Sequence, residues 1–183
     1  MDSFRRSFAA LALSVGVIAS LPIQAEEAAP AYNVNDYYEV HQDKRIYVFD
    51  DASTFKEFLS SGETPFRLTR IGAGPNKETV VFGLRAMDKE RKEAELGGVG
   101  LYDGKADGIE EAFYAEVNDG KRIYVFDDAK NFKAFRTGVE TPFRYTEIGG
   151  GPHGETMVYV LTKKAADKKP EAMIEQFKAL RAP

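Results

Sequence analysis

The stretch Lys44-Arg45-Ile46-Tyr47-Val48-Phe49-Asp50-Asp51-Ala52 returns unchanged as Lys121 to Ala129. Working outward from it at a constant offset of 77, residues 37–84 align with residues 114–161 without a gap, and 29 of 48 positions are identical. Glu63-Thr64-Pro65-Phe66-Arg67 recurs in the same way as Glu140 to Arg144. Self-similarity of this kind marks two copies of one supersecondary unit. The expected organisation is repeat 1 over 37–84, a linker with a short helix over 85–113, repeat 2 over 114–161 and a C-terminal helix within 165–183.

Within a repeat the order reads strand, strand, helix, strand, strand. Tyr37 to His41 runs into the polar step Gln42-Asp43-Lys44, where the second copy carries Asn118-Asp119-Gly120-Lys121, a hairpin signal. Ile46, Tyr47, Val48 and Phe49 leave the next strand no polar face, which predicts a central strand covered on both sides. Asp50 and Asp51 follow at once, and either carboxylate can accept from the free N–H groups of a helix starting near Ala52. Phe55, Phe58 and Leu59 fall at i, i+3 and i+4, and Phe132 and Phe135 repeat the first two, so this short helix is expected to lie on the sheet. After Thr64-Pro65, Phe66, Leu68 and Arg70 alternate against Arg67, Thr69 and Ile71. Gly72-Ala73-Gly74-Pro75-Asn76 then turns the chain, and Val80, Phe82 and Leu84 share one face of the last strand.

The predicted fold class is α+β: tandem duplicated ββαββ units, with antiparallel sheets and one short helix per repeat. Two sheets meeting across a pseudo-twofold axis are preferred over one continuous sheet. Between the repeats, Met87 to Leu96 reads as charged and helix-prone, and Gly97-Gly98-Val99-Gly100 as a flexible joint. After Pro170, the apolar stripe Met173, Phe177 and Leu180 is expected to pack back on the body.

At the other end, Arg5 and Arg6 precede an apolar run from Phe8 to Ile23, and Ile23-Gln24-Ala25 closes on a small residue before Glu26-Glu27. That is the layout of a secretory signal peptide over residues 1–25. The run falls short of the about 20 apolar residues that a membrane-crossing helix needs. The mature chain is therefore expected in the periplasm or outside the cell, with no stable membrane span. The absence of cysteine excludes disulfides, thiolate nucleophiles and cysteine-built metal sites. A formal charge of −4 without any basic run excludes nucleic acid as a main partner.

Motifs that point to chemistry are few. Gly72-x-Gly74-Pro75 and Gly149-Gly150-Gly151-Pro152 resemble pieces of a phosphate cradle, but no Gly-Lys-Ser/Thr follows, so a hairpin turn explains them better. Asp103 to Gly108 has the beginnings of a calcium loop, but Lys105 occupies a ligand position and Tyr114 stands where the bidentate Glu belongs. His41 and His153 are the two histidines, and their counterparts at offset 77 are Asn118 and Asn76. No nucleophile elbow is present. More informative are the polar residues both copies share, among them Glu39/Glu116, Arg45/Arg122, Asp50/Asp127 and Asp51/Asp128. Structural ion pairs across neighbouring strands explain such Arg and carboxylate sets most simply. Tyr47/Tyr124 and Phe66/Phe143 likewise read as core before they read as a stacking platform. If a ligand binds, the expected place is a groove between the repeats, lined by Tyr47, Arg67 and Glu78 together with Tyr124, Arg144 and Glu155.

A family resemblance rests on Glu39-Val40, the stretch Lys44 to Asp51, Phe55, Phe58 and Thr64-Pro65-Phe66, with Gly120-Lys121-Arg122-Ile123-Tyr124-Val125-Phe126 in the second copy. These residues resemble the YHS domain of secreted bacterial proteins, where a glycine-lysine strand with alternating tyrosine and phenylalanine leads into a short helix. The resemblance implies association with a metal, although the metal-binding cysteines of some relatives have no counterpart in this sequence.

The expected function is a non-enzymatic binding or interaction protein of the periplasm whose two repeats present a groove to a small ligand, a metal ion or an envelope protein. The sequence leaves the identity of any cofactor or metal open. The alternatives are an enzyme working through Asp50 or Glu78 with help from His41 or His153, and a structural or stress-related envelope protein.

Overall fold

The computed structural model describes residues 32–110 and 112–182. The expected signal segment, residues 1–25, lies outside them. The strands are β1 (Asp36–Gln42), β2 (Arg45–Phe49), β3 (Arg67–Arg70), β4 (Thr79–Gly83), β5 (Tyr114–Asn118), β6 (Arg122–Phe126), β7 (Arg144–Glu147) and β8 (Thr156–Val160). Four helices accompany them: α1 (Ala52–Ser61) after β2, α2 (Gly97–Tyr102) after β4, α3 (Ala129–Arg136) after β6 and α4 (Glu171–Arg181) after β8. Among the described residues no helix is long and apolar enough to cross a membrane.

All eight strands belong to one sheet in the order β3-β4-β2-β1-β5-β6-β8-β7. This corrects the preference for two sheets. β1 is buried over its first half and β5 over nearly its whole length, with Tyr37, Tyr38, Tyr114, Ala115 and Glu116 at 0–1 % exposure. Their facing backbone N–H and C=O groups have no water to turn to, so the two strands pair with each other. The sheet is also mixed, not antiparallel. β1 runs parallel to β5, β2 to β4 and β6 to β8. The last two parallel pairs arise because α1 and α3 carry the chain past the sheet to β3 and β7, and each hairpin then delivers its returning strand beside β2 or β6.

Both faces are covered. On one, α2 and α3 bury Tyr37, Val48, Phe82, Val117, Phe126 and their neighbours. On the other, α1 and α4 close over Tyr38, Phe49, Ile123, Val125 and Tyr159. The helix starts follow from single carboxylates. Asp51 accepts from the Thr54 N–H at 2.9 Å and Asp128 from the Asn131 N–H at 2.7 Å, which satisfies one free donor of each helix. Asp50 does not cap α1. It turns away and accepts from the Gly98 N–H at 2.8 Å, so it serves the start of α2, whose own Leu96 has no side chain able to do so.

The segment 97–100 is thus no flexible joint. Gly97 is a point of close approach: a Cβ there would lie 1.6 Å from the Asn33 carbonyl oxygen, so only glycine lets α2 settle against the chain entering β1. In place of a continuous helix over Met87 to Leu96, the chain makes two 3₁₀ turns, Ala86–Asp88 and Glu93–Glu95. At the C-terminus the helix begins after Pro170 and buries Met173, Ile174 and Phe177 against the sheet. Phe66 is not core. It is 37 % exposed just before β3, which is an edge strand.

Candidate functional site

The side chains of β2, β4 and β3 that share the α1 face form the floor of a groove of ≈ 610 Å³. Strand pairing sets three rows across this floor. Arg45 lies opposite Thr79, Tyr47 opposite Val81 with Thr69 beyond it, and Arg67 opposite Gly83. The chain leaving α1, from Gly62 to Pro65, builds one wall, and Ile71 stands at the rim. Tyr47 is held by Phe58 of α1, with ring centroids 4.7 Å apart, and its hydroxyl accepts from Arg45 Nη1 at 3.3 Å. Arg67 Nη1 donates to the Thr64 carbonyl at 3.3 Å.

The same arrangement occurs at the other end of the sheet. Arg122 lies opposite Thr156, Tyr124 and Thr146 both opposite Val158, and Arg144 opposite Val160. Tyr124 packs on Phe135 of α3 at 4.8 Å and accepts from Arg122 Nη1 at 3.2 Å. Eleven residues line the first groove, and at offset 77 ten of them recur; only Gly62 is replaced, by Val139.

Tyr47 and Arg67 cannot share a groove with Tyr124 and Arg144, although clefts lined from both repeats exist: Tyr124 borders one together with His41 and Pro75, and Glu155 borders another together with His41 and Phe58. Tyr47 pairs with Val40, Val40 with Asn118 and Asn118 with Ile123, so all four point to one face of the sheet. Tyr124 follows Ile123 and points to the other. The cause is the register between β1 and β5. Tyr114 pairs with Asp36 and not with its own counterpart Tyr37, and a one-residue offset inverts the face of everything beyond it. Tyr47 and Arg67 therefore belong to the groove, and Tyr124 and Arg144 to the equivalent strand positions on the opposite face.

Glu78 and Glu155 line neither floor. Glu78 folds back over its own loop and accepts from Asn76 N at 2.7 Å and Asn76 Nδ2 at 2.9 Å. Glu155 accepts from His153 N at 2.8 Å. The glycine-rich loops that resembled phosphate cradles thus carry their own carboxylates. A Cβ on Gly74 would lie 2.5 Å from Glu78 Oε2, which accounts for glycine at that position. These bonds from Asn76 hold the Glu78 carboxyl below its ordinary value, a poor setting for a general base. Asp50, the other catalytic candidate, has its carboxyl raised by burial, against the opposing Gly98 N–H and Arg85.

The two most buried acids sit at the centre of the sheet. Glu116 is 1 % exposed and accepts from the Tyr114 hydroxyl at 2.6 Å and from Arg181 Nη1 and Nη2 at 3.0 and 2.5 Å. Glu39 accepts from the Tyr37 hydroxyl, from Arg136 Nη1 at 2.8 Å and bonds His41 Nε2 at 2.6 Å. The arginines that pair with shared acids thus come from the C-terminal ends of α3 and α4, not from Arg45 or Arg67 on the strands.

Burial pushes the Glu39 carboxyl up, but the His41 bond, the Arg136 guanidinium and the Tyr37 hydroxyl outweigh it and hold the group below its ordinary 4.5. The bond to Glu39 raises the His41 imidazole above its ordinary 6.5 against burial, with the Asp119 and Glu78 carboxylates adding to the effect. A raised histidine stabilises the fold fully below 6.5 and loses that contribution as pH climbs through its folded value. A lowered glutamate contributes above 4.5 and loses it as pH falls. The pair should stabilise most between those values. Denaturation midpoints compared across pH for the wild type and His41→Asn, the residue found at position 118, should differ most in that window and converge at high pH. Parallel profiles would contradict the coupling.

Among the described residues no group of three His, Asp or Glu side chains could hold a metal ion. In the segment with the beginnings of a calcium loop, Asp103 is engaged by Arg70 at 2.7 Å and Lys105 at 3.0 Å, and Asp107 by Lys133. Sequence reasoning assigned Arg45 and Arg122 to ion pairs, whereas they bond the Tyr47 and Tyr124 hydroxyls, and it overlooked the groove threonines. The signal was present: exposed residues of equal parity on neighbouring strands that recur in both halves.

No family model matches this chain, and no curated protein or solved structure is significantly similar to it.

Proposed function

We propose that this chain is an exported, non-enzymatic binding protein of two tandem ββαββ copies, each of which carries one ligand groove. The observation that carries the proposal is the recurrence of ten of the eleven groove residues. Packing does not demand it. Arg45, Glu63, Pro65, Arg67, Thr69 and Ile71 are exposed, and exposed positions ordinarily tolerate change within about 0.5 kcal/mol. On the exposed face of α1 the surface has drifted, with Ser53, Glu57, Leu59 and Ser60 corresponding to Lys130, Ala134, Arg136 and Thr137, while Lys44, Lys56, Gly72 and Pro75 recur outside the groove. The first groove contains one carboxylate, Glu63, and no histidine, so it offers no acid–base pair and favours binding over turnover.

Expression of the full chain in a Gram-negative host tests both parts. Export predicts recovery from the periplasm without residues 1–25; retention of the intact chain in the cytoplasm would contradict it. Binding predicts a non-covalent adduct in native mass spectrometry, at up to two per chain. Arg67→Ala combined with Arg144→Ala should remove it while the unfolding free energy stays within about 0.5 kcal/mol. An adduct that survives the double substitution would place binding elsewhere.

A further inference from the structure

We infer that each groove takes an acidic oligosaccharide, its carboxylates held by Arg45 and Arg67 in one groove and by Arg122 and Arg144 in the other; this rests on the two-groove reading above. The charge pattern comes first. Nine arginines lie among the described residues. Arg70, Arg85, Arg91, Arg136 and Arg181 are each paired with a carboxylate. None of these five recurs at offset 77. The remaining four, Arg45, Arg67, Arg122 and Arg144, are the recurring ones, and no carboxylate of the described residues comes within ion-pair distance of any of them; their side-chain hydrogen bonds to the described residues go to a tyrosine hydroxyl or a carbonyl, and the Arg144 side chain makes none there. Asp43 and Asp119 act on Arg45 and Arg122 through space and Glu63 stands in the first groove, but four guanidinium groups without a direct carboxylate contact, repeated at equivalent strand positions, point to an anionic ligand.

Geometry makes that ligand elongated. Arg45 and Arg67 pair with Thr79 and Gly83, four positions apart on β4, and lie on strands on either side of it. Their backbones are therefore about 16 Å apart, from about 3.3 Å per residue along a strand and about 4.8 Å between strands. Between them the floor offers the hydroxyls of Thr69 and Thr79, which make no hydrogen bond to the described residues, together with the Tyr47 hydroxyl. Ile71 at the rim is 89 % exposed and its counterpart Ile148 is 91 % exposed, each an apolar contact for the face of a sugar ring. A peptide fits less well. The residues used belong to a sheet face and not to the free edge of β3, so strand addition is not the mode, and the floor has no deep apolar pocket for a side chain.

Titration calorimetry of the whole protein with three probes decides the matter: tetragalacturonate, its fully methyl-esterified neutral form, and tetraglutamate. The inference predicts two equal sites for tetragalacturonate, weakening with added salt and with an about tenfold higher Kd in Arg45→Ala/Arg122→Ala. It predicts at least tenfold weaker binding of the ester and of the peptide. Equal binding of the ester would overturn the anionic requirement. Tighter binding of tetraglutamate at two sites sensitive to Arg45 and Arg122 would replace the sugar with a peptide and leave the two-groove reading standing. Binding of any probe that neither arginine pair affects would remove both, and silence from all three up to millimolar concentration would remove the acidic sugar, leaving the grooves to the adduct experiment.

Discussion

Replacing Arg181 with alanine is expected to cost about 3–5 kcal/mol, the range for removing one member of a buried ion pair. Glu116 sits in β5 at the middle of the sheet at 1 % exposure. Arg181 supplies two of its three hydrogen bonds and also lies 3.7 Å over the Phe177 ring, so the substitution strips both charge and packing. The large effect should come from the stranded carboxylate and not from lost attraction alone. Removing the charge as well, in Glu116→Gln/Arg181→Ala, should therefore recover a substantial part of the loss. Chemical denaturation measures both. A double variant no more stable than Arg181→Ala would contradict the assignment.

Gly97→Ala should destabilise by about 3 kcal/mol, at the top of the range for overpacking. The new methyl would lie 1.6 Å from the Asn33 carbonyl oxygen and 2.8 Å from its carbon, both backbone atoms. That backbone is fixed in turn, because Asn33 Nδ2 donates to the Asp50 carbonyl at 2.5 Å and Asn33 Oδ1 accepts from Asn35 N at 2.9 Å. Either α2 moves off the sheet or the entry to β1 shifts. The neighbouring Gly98→Ala provides the contrast. Its Cβ would meet Val48 Cγ1 at 3.5 Å and Asp50 Cβ at 3.6 Å, ordinary contact distances, and the bond from Gly98 N to Asp50 survives. With alanine preferred over glycine in a helix by about 1 kcal/mol, Gly98→Ala should be neutral or mildly stabilising. Equal effects at the two glycines would show that 97–100 acts as a joint after all.

These two glycines also show where sequence reading ends. Gly97-Gly98 carries the same local signal whether the chain needs freedom or close approach, and only the distant Asn33 decides between them. Features set by neighbours in sequence were legible: the Asp51 and Asp128 caps, the alternation of strands with short helices, and the α4 stripe of Met173 and Phe177. Features set by pairing between distant strands were not. The partners of Glu39 and Glu116 lie 97 and 65 residues away, on arginines that have no counterpart in the other half. The separation of Tyr47 and Arg67 from Tyr124 and Arg144 depends on the one-residue offset between β1 and β5, which no alternation within either strand encodes.

The central claim is that the chain holds two equivalent and independent grooves. Native mass spectrometry of the ligand-saturated protein, with the co-purified adduct counted in Arg67→Ala and in Arg144→Ala separately, tests it most directly. Each single substitution should lower the bound count from two to one. Loss of both ligands from one substitution, or retention of two in each variant, would contradict the account.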